Sequence, residues 1–346
     1  MALVSTIYNP PRARRPWLLK DVLPEGQIRC YSLARWALVD ALRACGVGPG
    51  DRVLVPGLIC REMLASVHAV GASAVFYPVS PQLCAAFNPD EMGPGKAVVA
   101  VNYFGFPQKL DMFQRYCERT GAALIEDNAH GLLSRDENGR LLGSRGDAGI
   151  FSLRKTIALQ AGGALVLNGG RTLPEAPDLR FAGPPAGRYR LKQAFRRVAD
   201  RLGPIRTLRS IAAVRQLRQT FTGAAIPSGP PDAETRIPLA PNPPAMIQRP
   251  IAVADPELES QRRRALYDLT GRILGATSGV PVFPRLPDDV VPYGFPLFAL
   301  QAQVPAITAH LARAGLPLSR WPDLPAAVAP LAAGHYRQLL VVPFLW

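Results

Sequence analysis

The stretch from residue 122 to 168 most constrains what this chain can fold into. A short apolar run, Ala122 to Ile125, ends on Glu126 and Asp127, with His130 three residues past the aspartate. A second run, Ala148 to Leu153, delivers Ser152 and is followed by Lys155, and a Gly162-Gly163 pair opens a third. Runs of this length, rich in Ile, Val and Phe, predict strands. In open α/β sheets ligands bind outside the carboxyl ends of the strands. Asp127, His130, Ser152 and Lys155 are therefore expected to converge on one pocket.

The residues from 28 to 168 supply the rest of such a sheet. Ser32 to Cys45 has helical apolar spacing, as do Met63 to Val70 and Leu110 to Arg119. Arg52 to Pro56, Ser73 to Val79 and Lys96 to Phe104 are short β-rich runs. Strands alternating with helices predict an α/β fold with a mostly parallel sheet and helices on both faces. Gly46-Val-Gly-Pro-Gly50 precedes a strand, whereas a dinucleotide-binding glycine motif must follow one. It is expected to be the turn into Arg52.

A lysine and a carboxylate on one strand edge are the residue types pyridoxal phosphate chemistry needs. The amine holds the cofactor's aldehyde carbon, and the carboxylate keeps the ring nitrogen protonated so that the ring can accept a carbanion's electrons. Asp127 and Lys155 fit those parts. His130 could bond the ring's phenolic oxygen, and the Ser152 hydroxyl could bind phosphate. The same residues could instead be a capped strand end and a surface lysine. Ser152 to Lys155 also matches the SxxK signature of serine acyl-enzymes, but its partner motifs SxN and KTG occur nowhere in the chain.

Several further segments stand in a meaningful order. They are Val47-Gly-Pro-Gly-Asp-Arg-Val53, Pro56, Gly71-Ala-Ser-Ala-Val-Phe-Tyr77, Asn102-Tyr-Phe-Gly-Phe-Pro107, Glu126-Asp-Asn-Ala-His130, Gly146-Asp-Ala-Gly-Ile-Phe-Ser152, Lys155 and Gly162-Gly163. This series resembles the DegT/DnrJ/StrS family of PLP-dependent sugar aminotransferases. The resemblance implies PLP-dependent transferase fold type I, with a mostly parallel central sheet in a large domain and a small α+β C-terminal domain. It implies Lys155 as the Schiff-base lysine, Asp127 as partner of the ring nitrogen, His130 beside the ring hydroxyl and Ser152 at the phosphate. It also implies a homodimer with sites at the subunit interface, and amination of a nucleotide-linked keto sugar with glutamate as donor, in amino-sugar or polysaccharide biosynthesis.

The chain departs from that pattern at four places. Ser152 stands two residues nearer its lysine than the family's serine does. The family's SGTAAL phosphate turn is replaced by Leu33-Ala-Arg-Trp-Ala-Leu38, which makes Ala34 and Arg35 the phosphate candidates, Arg35 through its guanidinium fork. Cys60 stands where the family stacks an aromatic on the cofactor. No counterpart of the family's subunit-crossing Asn-x-Arg segment is found. These departures keep a second reading open: a PLP-fold protein without transamination, serving as a binding or membrane-associated component of a polysaccharide pathway.

Composition bounds the remainder. At 346 residues the chain can form two domains, expected over 1–230 and 250–346. Proline-rich Thr222 to Pro250 would join them. The 36 prolines are about twice the ordinary share and gather after residue 170. Five cysteines without CxxC spacing predict neither a disulfide framework nor a metal site. No apolar run reaches bilayer length, and residues 1 to 16 lack the apolar core of a signal peptide. A reduced, cytoplasmic location is expected. Residues 10–17 are read as an extended arm, either disordered or touching a dimer partner.

Ten basic residues lie between Arg188 and Arg218 against Asp200 alone, a net +9 of the chain's +14. Apolar residues there recur every three or four positions, which predicts one or two amphipathic helices broken at Gly203-Pro204. Such a face is either solvated and packed on the core or laid on an anionic membrane surface. The charge permits nucleic acid, but no nucleic-acid-binding motif accompanies it. Further on, Glu257 to Leu274 is expected as a helix started by Asp255-Pro256 and carrying Arg262-Arg-Arg264. Val304 to Ala314 is expected as another helix, Tyr293 to Leu300 and Leu339 to Phe344 as strands, and Val280 to Phe283 as an edge strand, because Pro281 cannot complete a ladder. His68 and His335 are assigned to structure.

Overall fold

The computed structural model describes residues 16–157, 159, 161–175, 230–244, 247 and 255–344. The basic segment 188–218, most of the arm at 10–17 and much of the connector at 222–250 lie outside the described residues. Among the described residues, no helix is long and apolar enough to cross a membrane.

The first half builds a seven-stranded sheet from β1 (Gln27–Tyr31), β2 (Arg52–Pro56), β3 (Ser73–Tyr77), β4 (Ala97–Val101), β5 (Ala123–Asn128), β6 (Ala148–Phe151) and β7 (Gly163–Leu167). Its order is β1-β7-β6-β5-β4-β2-β3. The run from β6 to β3 is parallel, while β7 pairs antiparallel with both β6 and β1. Three helices connect these strands: α1 (Ala34–Ala44), α2 (Leu64–Ala69) and α3 (Asp111–Thr120). All residues of β4, β5, β6 and β7 are buried, as expected for strands covered on both faces.

The edge strand β1 was not expected from the sequence: Gln27 and Arg29 alternate with Ile28 and Cys30, but over only five residues. The central strand β5 corrects a different expectation. It does not stop at the acids but runs through Glu126 and Asp127 to Asn128. Successive side chains of a strand point to opposite faces, so two adjacent acids can be accommodated by unlike surroundings. Glu126, fully buried, receives Arg145 Nε at 3.0 Å and Nη2 at 2.6 Å, Asn102 Nδ2 at 3.0 Å, and the backbone N–H groups of Gly143 and Arg145 at 3.1 and 2.7 Å. Arg145 also donates to Gln108 O at 3.2 Å and Asn102 Oδ1 at 3.0 Å. Buried charge is tolerable only with such a full set of partners.

The second half forms a four-stranded antiparallel sheet of order β10-β11-β9-β8, from β8 (Val280–Pro281), β9 (Gly294–Phe298), β10 (Ser319–Arg320) and β11 (Leu339–Pro343). Proline keeps β8 at the edge, as anticipated. The helices α4 (Pro256–Leu274), α5 (Val304–Arg313) and α6 (Gly334–Gln338) accompany it. The Asp255 carboxylate caps α4 by accepting from the N–H groups of Glu257 and Leu258, both at 3.1 Å. One apolar core runs from Leu38 and Val99 under the large sheet to Leu297 and Val341 in the small one, so the two sheets pack together. His68 bonds Glu234 O at 2.7 Å and His335 bonds Val79 O at 2.9 Å, in keeping with their structural assignment.

Replacing Arg145 with methionine would leave the Glu126 carboxylate buried without its cation. The expected cost is about 3–5 kcal/mol of unfolding free energy, to be read as a lower denaturant midpoint.

Candidate functional site

The register aligns the carboxyl ends of the parallel strands. Asp127 lies opposite Val101 on one side and Ile150 on the other, and Asn128 lies opposite Phe151. Because β7 runs the other way, its first residues, Gly163 and Ala164, come to the same edge beside Tyr31 and Phe151. After β6 the chain makes a 3-10 turn over Leu153–Lys155, with Lys155 N–H bonded to Ser152 O at 3.0 Å. That turn aims the lysine back over the strand ends.

The sequence-expected residues meet around this lysine. Lys155 Nζ lies 3.0 Å from His130 Nε2. Cys60, Arg154, Asp127 and Glu62 are the charged or titratable groups within its electrostatic reach. Burial lowers the amine from the ordinary lysine value, with Arg154 adding to the effect while Cys60, Asp127 and Glu62 oppose it. The Asp127 carboxyl is shifted up, chiefly by burial, against the Ala129 N–H bond at 2.8 Å and the charge of Lys155. A buried carboxylate in that condition is suited to receive a cationic ring nitrogen.

His130 is held well below the ordinary histidine value by burial and by the positive charges of Lys155 and Arg263. Its Nδ1 accepts from Phe104 N–H at 3.4 Å. A neutral imidazole accepting at Nδ1 carries its proton on Nε2, the nitrogen nearest the Lys155 amine. The imidazole ring belongs to an aromatic cluster in which Phe104 and Tyr293 also approach each other, at 6.4 Å. Tyr293 stacks on it at 4.0 Å with an interplanar angle of 11°, and Phe104 at 5.5 Å with 16°. Trp321 approaches the same ring at 5.6 Å, and Lys155 Nζ sits 5.6 Å from the Tyr293 centroid.

Ser152 is buried beside the lysine turn. The N-terminus of α1, which carries Ala34 and Arg35, is pressed against β7. A Cβ placed on Gly163 would lie 2.4 Å from Ala34 N. This approach, possible only at glycine, brings the N-terminal N–H groups of an 11-residue helix to the site edge, where they favour an anion. Arg35 is within electrostatic reach of Cys60, Glu62 and Arg154, and burial pushes its guanidinium down. The Cys60 thiol is pushed up to about 12 by burial and is therefore a neutral surface, not a nucleophile.

The residues missed from the sequence are Phe104, Tyr293, Trp321 and Arg263. Tyr293 opens a run read only as a strand, and Arg263 stands in the segment read as a helix carrying three consecutive arginines. Neither is near Lys155 in the chain, so no local spacing marks them.

Residues 32–213 match the sequence profile of the DegT/DnrJ/EryC1/StrS aminotransferase family. The L-glutamine:2-deoxy-scyllo-inosose aminotransferase of Streptoalloteichus tenebrarius is 33% identical over 201 residues, covering 53% of this chain and 46% of the relative. The L-glutamine:scyllo-inosose aminotransferase of Streptomyces griseus is 36% identical over 155 residues, covering 42% and 36%. The chain thus spans less than half the length of these curated relatives. Among solved structures, a DegT DnrJ EryC1 StrS aminotransferase from Brucella abortus superposes with a TM-score of 0.58 at 18% identity, covering 92% of this chain and 80% of the other. DesI, solved with its TDP-sugar product, superposes with a TM-score of 0.54 at 18% identity, covering 92% and 75%. At such identities the superpositions establish the fold.

A histidine whose folded value lies below its unfolded one binds its proton first in the unfolded chain. Stability due to neutral His130 is therefore intact above the ordinary value of 6.5 and lost as pH falls through it. The melting temperature should fall between pH 7.5 and 5, and His130→Gln should flatten that fall.

Proposed function

Because the chain belongs to the DegT/DnrJ/EryC1/StrS aminotransferase family, we propose that it is a PLP-dependent aminotransferase acting on the ketone of a cyclic, polyhydroxylated substrate. The observation that carries this reading is the Lys155 amine, lowered by burial and 3.0 Å from a neutral His130, with the Asp127 carboxylate in electrostatic reach. When bound, PLP supplies an electron sink for a carbanion at the substrate carbon and carries the amino group between two half-reactions.

The chain's own residues would then divide the work. Lys155, unprotonated at lower pH than an exposed lysine, would hold the cofactor covalently through its amine, and the free amine would move the proton at the substrate carbon. Asp127 pairs with the ring nitrogen and keeps it protonated. His130 offers its Nε2 proton to the ring's phenolic oxygen. Ser152 and the N–H groups at Ala34 and Arg35 face the phosphate end, with Arg35 adding positive charge. Cys60 would offer the ring a small neutral thiol surface.

For the substrate, our reading is a nucleotide-linked keto sugar with glutamate as donor, supported by the TDP-sugar product of the structural neighbour DesI. A keto-cyclitol aminated from glutamine is the second reading, favoured by the names of both curated relatives. We place the site at the interface of a homodimer, since the family's sites are completed across subunits.

Purified protein should be yellow, or turn yellow on adding PLP, and Lys155→Ala should abolish borohydride fixation of the cofactor. A colourless protein that takes up no PLP would leave only the non-catalytic reading. L-Glutamate and L-glutamine, offered singly, should differ in how fast they bleach the colour, and the acceptor can then be sought among nucleotide keto sugars and keto-cyclitols.

Asp127→Asn should still bind cofactor but transaminate far more slowly, because an amide cannot stabilise the cationic ring nitrogen. Near-normal turnover by this variant would remove Asp127 from the mechanism.

A further inference from the structure

Arg263, in the middle of α4, is fully buried although the site as derived so far gives it no task. A guanidinium has five N–H donors in a fixed planar fork, and those of Arg263 are all directed at acceptors. Nε donates to Glu259 Oε1 at 2.5 Å. Nη1 reaches Pro292 O at 3.1 Å and Tyr293 O at 3.5 Å. Nη2 reaches Lys155 O at 2.7 Å and Thr156 O at 3.4 Å. Four of these five acceptors are main-chain carbonyls, in two segments that approach the active site from opposite ends of the sequence.

The two segments are also joined at their side chains. Lys155 Nζ meets His130 Nε2 at 3.0 Å, the His130 ring stacks on the Tyr293 ring at 4.0 Å, and Lys155 Nζ lies 5.6 Å from that same ring. Arg263, Lys155, His130 and Tyr293 thus form a closed circuit, with the guanidinium gripping from behind the two residues whose side chains face His130 from different sides. We infer that Arg263 is a positioning residue, which fixes the Lys155 turn and the Tyr293 ring relative to His130 and so sets where the lysine amine stands. This inference rests on Lys155 being the cofactor lysine.

Two features of the surroundings agree with that role. The charge of Arg263 is among the causes that hold His130 neutral, the state in which its ring can share a proton with the amine. The neighbouring Arg262 shares the carboxylate of Glu259, at 2.8 and 2.9 Å, and also donates to Phe344 O at 3.0 Å. Glu259 therefore binds two adjacent arginines, one directed at the catalytic turn and the other at the end of β11. A lysine at position 263 would keep the charge but, as a single point donor, could not span both segments.

The test compares Arg263→Lys with Arg262→Lys. In cofactor-free protein, competitive acetylation with acetic anhydride across pH, read at the Lys155 peptide by mass spectrometry, reports the amine's titration without any turnover. Lys155 is faced by His130, Cys60, Asp127, Glu62 and Arg154. Freeing its turn should let water reach the amine and raise the midpoint by roughly one pH unit in Arg263→Lys. Arg262→Lys should leave the midpoint in place even where its melting temperature drops as far. In loaded enzyme, kcat of Arg263→Lys should fall about a hundredfold with little change in KM, as expected of a misplaced catalytic group.

An unmoved midpoint, or an equal movement in both variants, would overturn the inference and make Arg263 a packing residue. If Arg263→Lys does not fold, Tyr293→Leu opens the same circuit from its other side. It should raise the Lys155 midpoint too, and an unchanged midpoint there would count against the circuit. A shifted midpoint in a protein that takes up no PLP would sink the cofactor reading while sustaining the circuit. Normal colour with an unmoved midpoint would do the reverse.

Discussion

The alternation of side chains along β5 is the constraint on which the rest of the site depends. Glu126 and Asp127 are neighbours in the chain, and both are buried. Were both to face the same side, two carboxylates would share one low-dielectric space and neither could stay ionised without a large penalty. The pleat separates them. Glu126 is neutralised by the Arg145 guanidinium and accepts three further hydrogen bonds, and it belongs to the scaffold. Asp127 is left with one backbone donor and the distant charge of Lys155. The contrast between a fully satisfied acid and an under-satisfied one, one residue apart, is what separates structure from chemistry here.

The same contrast explains which parts of the site were legible in the sequence. Asp127, His130, Ser152 and Lys155 fall within 30 residues, and their spacing against two apolar runs is enough to put them at one sheet edge. The parallel arrangement followed from strands alternating with helices, and the α4 start was readable because Asp255-Pro256 is a cap with a mechanism. The strand β1 was passed over because its alternation of polar Gln27 and Arg29 with apolar Ile28 and Cys30 lasts only five residues, too short to stand out from a loop. The aromatic wall was not readable either. Tyr293 and Trp321 reach His130 from across more than 150 residues of chain, and nothing in a tyrosine at the mouth of a strand distinguishes a ring that packs on the core from one that packs on a buried histidine of the candidate site.

Arg263 illustrates a subtler loss. In sequence it is the middle of three consecutive arginines, which reads as a basic surface. In the structure the three diverge: Arg263 and Arg262 are buried on Glu259, while Arg264 turns to Pro287, Val290 and Asp288. Consecutive helical residues are about 100° apart around the axis, so a triplet must present its members to different surroundings. A buried acid one turn earlier, Glu259 at i−4 to Arg263 and i−3 to Arg262, is the signal that could have marked them. It was readable only by supposing that the face carrying the charges is turned inward.

The phosphate end shows how a site can survive the loss of side chains thought to define it. The Leu33 to Leu38 turn lacks the hydroxyls and glycine of the related pattern, and taken as side chains alone it argues against anion binding. The N-terminal anion site of a helix, however, is made of backbone N–H groups and the aligned peptide dipoles behind them, which do not depend on residue type. What the site does require is proximity, and Gly163 supplies it: with Ala34 N only 2.4 Å from where a Cβ would stand, no other residue there would let α1 dock at the sheet edge. The glycine pair that opens β7 would therefore shape the proposed phosphate end more strongly than the altered turn does, with Arg35 adding its charge there.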